Sequence, residues 1–186
     1  MTLTDYLPAR NILGNNNQIR SWLVQPVQRM IVDSRNDGVE LLILSGYRSF
    51  SAQQLAWNIT ERDFPDRVHL LVAQPGHSEH QLGTTIDFGS PDFGREFTKE
   101  FANTPEGVWL RENAHAYGFT MSYPEDGFAI TGFEFEPWHF RYVGVENATK
   151  LNQIGMSLTE WQLTYLNQPC IPDTSSWPQE LSQPAN

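Results

Sequence analysis

The chain has 186 residues, of which 39% are hydrophobic, and a formal net charge of −10. With 6 Trp, 6 Tyr and 11 Phe it is too rich in core-forming side chains for a disordered protein, and its length suffices for one domain that needs neither disulfide bonds nor a structural metal to fold. The acidic charge and the lack of a basic patch argue against binding to the phosphate backbone of nucleic acids, and no run approaches the roughly 20 apolar residues of a membrane span.

The first half of the chain predicts a polar N-terminal arm over residues 1–18, followed by three regular elements. These are a helix over 19–36, a buried strand over 39–44 and a helix over 51–62. Pro26 interrupts the apolar periodicity of the first helix and predicts a kink or a helix restart there. Ser51 and Gln54 have the spacing of a capping box, which predicts the start of the second helix.

The second half of the chain predicts a mixture of helices and strands. In chain order they are a strand over 84–88, helices over 93–101 and 105–117, strands over 119–122, 129–135 and 139–143, and helices over 146–154 and 159–167. Thr104 as an N-cap before Pro105 predicts the start of the helix that Gly118 ends. The elements together predict one α+β domain over residues 19–167, and the proline-rich segment 168–186 predicts a loosely held tail.

The stretch GHSEHQLGTTID, residues 76–87, concentrates side chains that bind metals. A catalytic zinc site takes three protein ligands, often histidine and carboxylate, and keeps a fourth position for water. His80 and Asp87 would supply two of them, and Gly83 allows the chain to turn back between them. The same pair is also compatible with ordinary surface chemistry or a helix N-cap, so this stretch alone leaves both interpretations open. Glu79, next to His80, is expected to point away towards solvent.

A second cluster, Glu136-Pro137-Trp138-His139, lies in a strand-like aromatic segment. Residues i and i+3 of a regular strand face opposite sides, but Pro137 cannot donate to a sheet ladder and predicts a bulge or a break. Such a break would let Glu136 and His139 converge, with His139 as a third metal ligand and Glu136 as an unligated base. In the alternative, Trp138 and Phe140 fill the core and the two polar side chains make ordinary hydrogen bonds.

Arg48 lies directly after the predicted strand 39–44 and before a predicted helix. Strand ends commonly present functional side chains, and a guanidinium group suits a carboxylate or a developing oxyanion better than a lysine does. A surface salt bridge is the alternative for this arginine.

Three motifs together resemble a known family. They are SGYRS followed after three residues by Gln53, PGHSEHQLGTTID at 75–87 and ITGFEFEPWHFRYVG at 130–144. In this order they strongly resemble the VanY-type D-alanyl-D-alanine carboxypeptidases, zinc peptidases of the lysostaphin, D-Ala-D-Ala carboxypeptidase and hedgehog group. The resemblance covers about residues 41–144. The family pattern S-x-H-x-x-G-x-A-x-D aligns with Ser78, His80, Gly83 and Asp87, and E-x-x-H aligns with Glu136 and His139.

The resemblance implies a fold and a site. The implied fold is a small central antiparallel sheet with helices packed on it and a zinc site at the sheet. One Zn²⁺ per chain would be held by His80, Asp87 and His139. The implied roles of the remaining residues are catalytic base for Glu136, stabilisation of the oxyanion for Arg48, and positions near the substrate for Ser78 and Gln53.

The chain departs from the family pattern at three positions. Thr85 stands where the pattern usually has alanine, Ser122 where an arginine is expected, and Gly127 where relatives often carry lysine. None is an implied ligand, so the departures bear on substrate preference more than on catalysis.

The resemblance further implies hydrolysis of the terminal D-Ala of peptidoglycan stem peptides or precursors. An L,D-carboxypeptidase or a peptidoglycan endopeptidase with the same site stays open, as does a hedgehog-like binding module, against which the presence of Glu136 argues. The expected partner is a peptidoglycan stem peptide, with no nucleic acid, and the chain is expected to be a monomer. The expected location is the cell envelope or periplasm if a leader has been removed, and otherwise the cytoplasm.

Overall fold

The computed structural model describes residues 18–91 and 97–166, within which four strands form one antiparallel sheet. The strands are β1 Leu42–Ser45, β2 Thr85–Gly89, β3 Phe119–Met121 and β4 His139–Tyr142. They pair in the order β1-β2-β4-β3, so β2 and β4 lie in the middle. All five residues of β2 are buried. The predicted α+β class with a small antiparallel sheet is confirmed.

The described residues contain seven α-helices. They are α1 Val24–Asn36, α2 Phe50–Asp63, α3 Val68–Leu71, α4 Pro105–Asn113, α5 Phe128–Thr131, α6 Val145–Ile154 and α7 Leu158–Tyr165. Side chains of Ser49, Thr104 and Ser157 accept hydrogen bonds at the starts of α2, α4 and α7, where backbone N–H groups have no partner within the helix. In the two described ranges, no helix is long and apolar enough to cross a membrane.

Most predicted elements lie close to their predicted positions. Pro26 does not break α1, because it lies in the first turn, where a missing N–H costs no helical hydrogen bond. A 3₁₀ turn over Ser21–Leu23 precedes that helix, so the change of geometry comes before the proline. The start at Thr104 is confirmed, as is the end at Gly118, whose φ is 89° after a 3₁₀ turn over Ala114–Tyr117.

The predicted strand over 129–135 is wrong. Its first part belongs to α5, and residues 132–136 have no strand structure. The backbone N–H groups of Ile130 and Thr131 donate to the carbonyl of Gly127, and Gly132, with φ of 75°, ends this turn. The local helical hydrogen bonds outweigh the β propensity of these side chains, which depends strongly on context.

Two further predictions need correction. The side chain that caps α2 is Ser49 rather than Ser51, since Ser49 Oγ accepts a bond of 3.2 Å from the N–H of Ala52. The predicted helix over 93–101 falls partly outside the described residues, and its described end belongs to a 3₁₀ turn, Lys99–Asn103. The predicted N-terminal arm, apart from Gln18, and the predicted tail also lie outside the described residues.

One face of the sheet packs into the hydrophobic core. Ile86, Phe88 and Phe140 are at most 2% exposed, and the rings of Phe88 and Phe140 meet edge to face with centroids 5.9 Å apart. Because side chains alternate along a strand, Asp87 and His139 point to the opposite face. Hydrophobic packing on one side of the sheet therefore determines which polar side chains are presented on the other.

Gly118 and Gly155 form a matched pair for testing how closely the chain packs beside β4. Both follow helical turns and have positive φ, 89° and 66°. A Cβ at Gly118 would lie 2.6 Å from the ring of Tyr142, whereas a Cβ at Gly155 would meet no atom within 4 Å. We expect Gly155→Ala to lower the free energy of unfolding by about 1–2 kcal/mol, the cost of a left-handed backbone, and Gly118→Ala to lower it further. Urea denaturation measures both values, and equal losses would contradict the close contact with Tyr142.

Candidate metal centre

Asp87 and His139 become neighbours through the register of the sheet. The two residues lie directly opposite each other in the antiparallel pairing of β2 with β4. Asp87 Oδ1 is 3.2 Å from His139 Nδ1. On its other side Asp87 lies opposite Ser45 of β1, so the carboxylate sits at the centre of the sheet.

His80 reaches the same point from a short turn before β2. A 3₁₀ turn, Glu79–Leu82, carries it, and Gly83 ends the turn in a left-handed conformation with φ of 71°. His80 Nδ1 is 2.7 Å from the carbonyl oxygen of Gly46. Because a carbonyl oxygen only accepts, Nδ1 carries a hydrogen, and Nε2, 3.1 Å from Asp87 Oδ2, is the nitrogen of His80 that could bind a metal.

Glu136 and His139 converge, as the sequence predicts. Glu136 Oε2 lies 3.2 Å from His139 Nδ1. The cause is a turn immediately before β4, closed by a bond of 3.1 Å from the N–H of His139 to the carbonyl of Glu136. Pro137 thus lies in the turn that precedes the strand, and no bulge within the strand is needed.

The three predicted ligands fit a single metal ion. One ligand atom from each of His80, Asp87 and His139 lies within 4.8 Å of the others. The three residues are 3–5% exposed, and Asp87 Oδ1 is buried without a hydrogen bond. A buried carboxylate oxygen of this kind needs a positive partner. Two imidazoles and one carboxylate form a donor set typical of catalytic zinc, with a fourth position left for water.

Opposite charges hold Asp87 and His139 in their ionised forms. Burial alone would raise the pKa of Asp87, but the charges of His80 and His139 lower it well below its usual range. Burial alone would lower the pKa of His139, but the neighbouring carboxylates of Asp87, Glu136 and Glu79 raise it well above its usual range. The cluster of carboxylates therefore attracts positive charge to the position between the ligands, from a proton or from a metal ion.

Arg48 is fixed at the edge of this cluster. Its Nη1 donates to Gln53 Oε1 at 3.1 Å and its Nη2 to Ser45 Oγ at 3.3 Å, and Nη2 lies 4.0 Å from Asp87 Oδ2. Gln53 is fully buried, and its Nε2 donates to the carbonyl of Ala73 at 2.6 Å. Gln53 therefore fixes the position of the Arg48 side chain. The predicted proximity of Gln53 to the substrate stays a prediction.

Ser78 lies at the start of the 3₁₀ turn that carries His80, and it is 8% exposed. Its backbone carbonyl accepts a hydrogen bond from Gln81 at 3.0 Å, which helps to close the turn. This position is adjacent to the candidate ligands, and the predicted contact of Ser78 with substrate stays a prediction.

The expectation that Glu79 points to solvent is wrong. Its side chain is only 16% exposed and lies 3.0 Å from His139 Nε2. Burial alone would raise the pKa of Glu79, but hydrogen bonds with His139 and Ser122 and the charge of Arg141 lower it to about 2. The sequence contained one indication of this contact. Arg141 is two residues after His139, so both side chains lie on the same face of a strand, where one carboxylate can reach both.

A family model described as VanY, D-alanyl-D-alanine carboxypeptidase, matches residues 16–145 of the chain. Among individual relatives, YodJ of Bacillus subtilis (strain 168) is 35% identical over 144 residues, which are 77% of this chain and 53% of YodJ. A D-alanyl-D-alanine carboxypeptidase of Enterococcus faecium is 33% identical over 158 residues, which are 84% of this chain and 48% of that protein. The chain thus spans about half the length of these two relatives.

Solved structures of similar proteins share the fold. The LdcB LD-carboxypeptidase has a TM-score of 0.74 at 31% identity, covering 85% of this chain and 75% of that chain. VanYB in complex with D-alanine-D-alanine has a TM-score of 0.71 at 33% identity, covering 82% of this chain and 87% of that chain. A mutant VanY from a VanB-type resistance cassette, in complex with Zn(II), has a TM-score of 0.69 at 33% identity, covering 83% and 87%.

A small antiparallel sheet that presents two histidines and an aspartate at ligand distance, with a further carboxylate beside them, is the arrangement of a zinc metallopeptidase. The match over most of the sequence then gives the family: the chain belongs to the VanY family of D-alanyl-D-alanine carboxypeptidases. Zinc is the cofactor that fits this donor set and that a solved VanY relative contains.

We propose that His80, Asp87 and His139 hold one zinc ion, and we predict that His139→Ala loses it. Removal of one of three protein ligands leaves too few donors for a stable site. Elemental analysis after gel filtration should give one zinc per chain for the wild type and a small fraction of that for the variant. His77→Ala is the matched control, because His77 is exposed and outside the ligand set. Full zinc content in His139→Ala would contradict the proposed ligands.

Proposed function

We propose that this chain is a zinc-dependent D,D-carboxypeptidase that removes the terminal D-Ala from peptidoglycan stem peptides or their precursors. The observation that carries the proposal is the position of Glu136, whose Oε2 lies 3.2 Å from His139 Nδ1, the nitrogen that faces Asp87. A carboxylate beside the ligands but outside the ligand set is required by a hydrolase and not by a structural metal site. Relatives that are D-alanyl-D-alanine carboxypeptidases support the substrate class, which would place the activity in the cell envelope.

Proton transfer is the role we assign to Glu136. Bound zinc would supply Lewis-acid chemistry: it would polarise the scissile carbonyl and lower the pKa of water, so that the water can lose a proton and attack near neutral pH. Glu136 accepts a proton from the attacking water and delivers it to the amine of the departing residue as the C–N bond breaks. It returns to its carboxylate form, so the net reaction consumes only water and peptide.

Stabilisation of negative charge is the role we assign to Arg48. Its side chain is 13% exposed, and its guanidinium group is held by Gln53 and Ser45 before any substrate arrives. A positive group that is already in place needs no reorganisation when charge develops on the carbonyl oxygen of the peptide. Its planar array of N–H donors also suits the free carboxylate of a peptide C-terminus, and Ser78 is the second group we assign to substrate binding.

L,D-carboxypeptidase activity on tetrapeptide stems is the second candidate function. The observation in its favour is that the LdcB LD-carboxypeptidase matches this chain as well as VanYB does. Both candidates use the same metal, base and arginine. They differ in the stereochemistry accepted on the two sides of the scissile bond, which depends on the walls of the cleft rather than on the ligands.

A panel of synthetic stem peptides separates these candidates. We expect the zinc-loaded protein to remove one D-Ala from a pentapeptide ending in D-Ala-D-Ala and to leave a tetrapeptide and a cross-linked stem intact, as measured by mass spectrometry. Cleavage of the tetrapeptide alone would favour the L,D-carboxypeptidase, and cleavage of the cross-linked stem alone would favour an endopeptidase. A zinc-loaded protein inert towards the whole panel would indicate a binding module.

We predict that Glu136→Gln retains zinc but loses peptide cleavage. Glutamine keeps the size of the side chain and its hydrogen-bonding groups but cannot accept a proton near neutral pH, so the rate should fall by about 10²–10⁴-fold. The measurements are zinc content and the rate of D-Ala release. Glu134→Gln is the matched control, because Glu134 pairs with Arg67 and Lys99 instead of the candidate ligands. Turnover by Glu136→Gln near the wild-type rate would refute the assignment.

A further inference from the structure

Three donors converge on the carboxylate of Glu79. His139 Nε2 lies 3.0 Å from Oε2, Ser122 Oγ donates to the same oxygen at 2.6 Å, and Arg141 Nη1 donates to Oε1 at 2.8 Å. The side chain of Glu79 is only 16% exposed, and the next residue in the chain, His80, is a candidate ligand. These three contacts fix the Glu79 carboxylate beside the candidate metal centre.

The hydrogen bond that Glu79 accepts decides which nitrogen of His139 is available to a metal. An ionised carboxylate has only acceptor sites, so His139 Nε2 must carry the hydrogen in this contact. In a neutral imidazole the lone pair is then on Nδ1, the nitrogen 3.2 Å from both Asp87 Oδ1 and Glu136 Oε2. A histidine ligand must present that lone pair to the metal.

We propose that Glu79 is a positioning residue, which fixes His139 in the tautomer and orientation that place Nδ1 at the zinc site. This inference rests on the zinc site of the proposed function, but it does not depend on carboxypeptidase activity. A carboxylate on the distal nitrogen of a ligand histidine also increases the basicity of the ligating nitrogen. Glu79 would therefore strengthen zinc binding as well as orient the ring.

The surrounding fold determines the position of Glu79 itself. His139 and Arg141 are two residues apart in β4, so both side chains lie on the same face of the sheet and both reach the carboxylate. Ser122 follows β3, the strand on the other side of β4 from β2. The 3₁₀ turn that provides His80 as a ligand thus also provides the group that orients His139, which links the two sequence clusters of the site.

The two histidines are oriented by chemically different partners. His80 uses the neutral carbonyl of Gly46 at 2.7 Å, whereas His139 uses the charged carboxylate of Glu79. A carboxylate polarises an imidazole more strongly than a carbonyl does. Replacement of Glu79 by glutamine removes the charge of this partner and preserves the size and shape of its side chain, so a single substitution tests the inference.

Glu79→Gln is the test variant, and the zinc dissociation constant measured by chelator competition is the readout. We expect binding to weaken by about 10–100-fold, the usual effect of losing such a partner. Asp37→Asn is the matched control, because Asp37 Oδ2 accepts a bond of 2.8 Å from a ring N–H of Trp109 away from the metal centre. We expect it to bind zinc like the wild type.

A dissociation constant of Glu79→Gln equal to that of the wild type would overturn the inference. A second measurement needs no variant and covers the case in which Glu79→Gln does not fold. Nitrogen-15 NMR of the zinc-loaded wild type should show His139 with its hydrogen on Nε2, and a hydrogen on Nδ1 would also overturn the inference. Failure of the proposed function is distinct, since a wild type that binds zinc in this way without cleaving any stem peptide would refute only the carboxypeptidase activity.

Discussion

The pairing of β2 with β4 is the constraint on which the site depends. Asp87 and His139 face each other in that register, and Ile86 and Phe140 face each other one position along. A shift of one residue would move every side chain of a strand to the other face of the sheet. His139 would then enter the hydrophobic core, and Phe140 would point at the metal position. The register is held by apolar packing, because Ile86, Phe88 and Phe140 are almost completely buried. The geometry of a polar site is thus determined by hydrophobic side chains that never touch it.

The charges around the site are arranged in layers. Asp87 and the two imidazoles are buried in the middle, and Glu79 and Glu136 approach His139 from its two nitrogens. Arginine side chains lie outside these carboxylates, Arg48 near Asp87 and Arg141 on Glu79. Each buried carboxylate of the site has a positive or hydrogen-donating neighbour, as burial in a medium of low dielectric requires. Asp87 Oδ1 lacks a hydrogen bond, and it lies 3.2 Å from Nδ1, the candidate ligand atom of His139.

The sequence was most informative where chemistry and spacing coincide. His80, Asp87, Glu136 and His139 could be selected because they form two close groups within motifs that resemble a known family, and the structure brings them together. Glu79 was missed, because a residue adjacent to a ligand points away from it in a strand, and nothing local indicated that a 3₁₀ turn would bring both side chains to the same centre. The predicted strand over 129–135 failed for a related reason. Its β-branched and aromatic side chains favour a strand, but the flanking glycines at 127 and 132 close a helical turn instead.

One scaffold can serve carboxypeptidases of different specificity, because the groups that bind the metal and the groups that surround the substrate lie on different parts of the fold. The candidate metal ligands on β2 and β4 are held by the register of the sheet, and Arg48 is held after β1 by the buried side chain of Gln53. In the proposed reaction these groups would act on the scissile amide, which is chemically the same for a D,D or an L,D bond. Discrimination between the bonds requires contacts to the substituents on either side, and loops, which vary more readily than strands, are the segments in which such contacts can change. Similarity to both an LD-carboxypeptidase and VanYB is therefore compatible with either preference. Under the proposed function, the groups at the centre of the sheet determine the type of reaction, and the walls of the cleft determine the preferred stereochemistry.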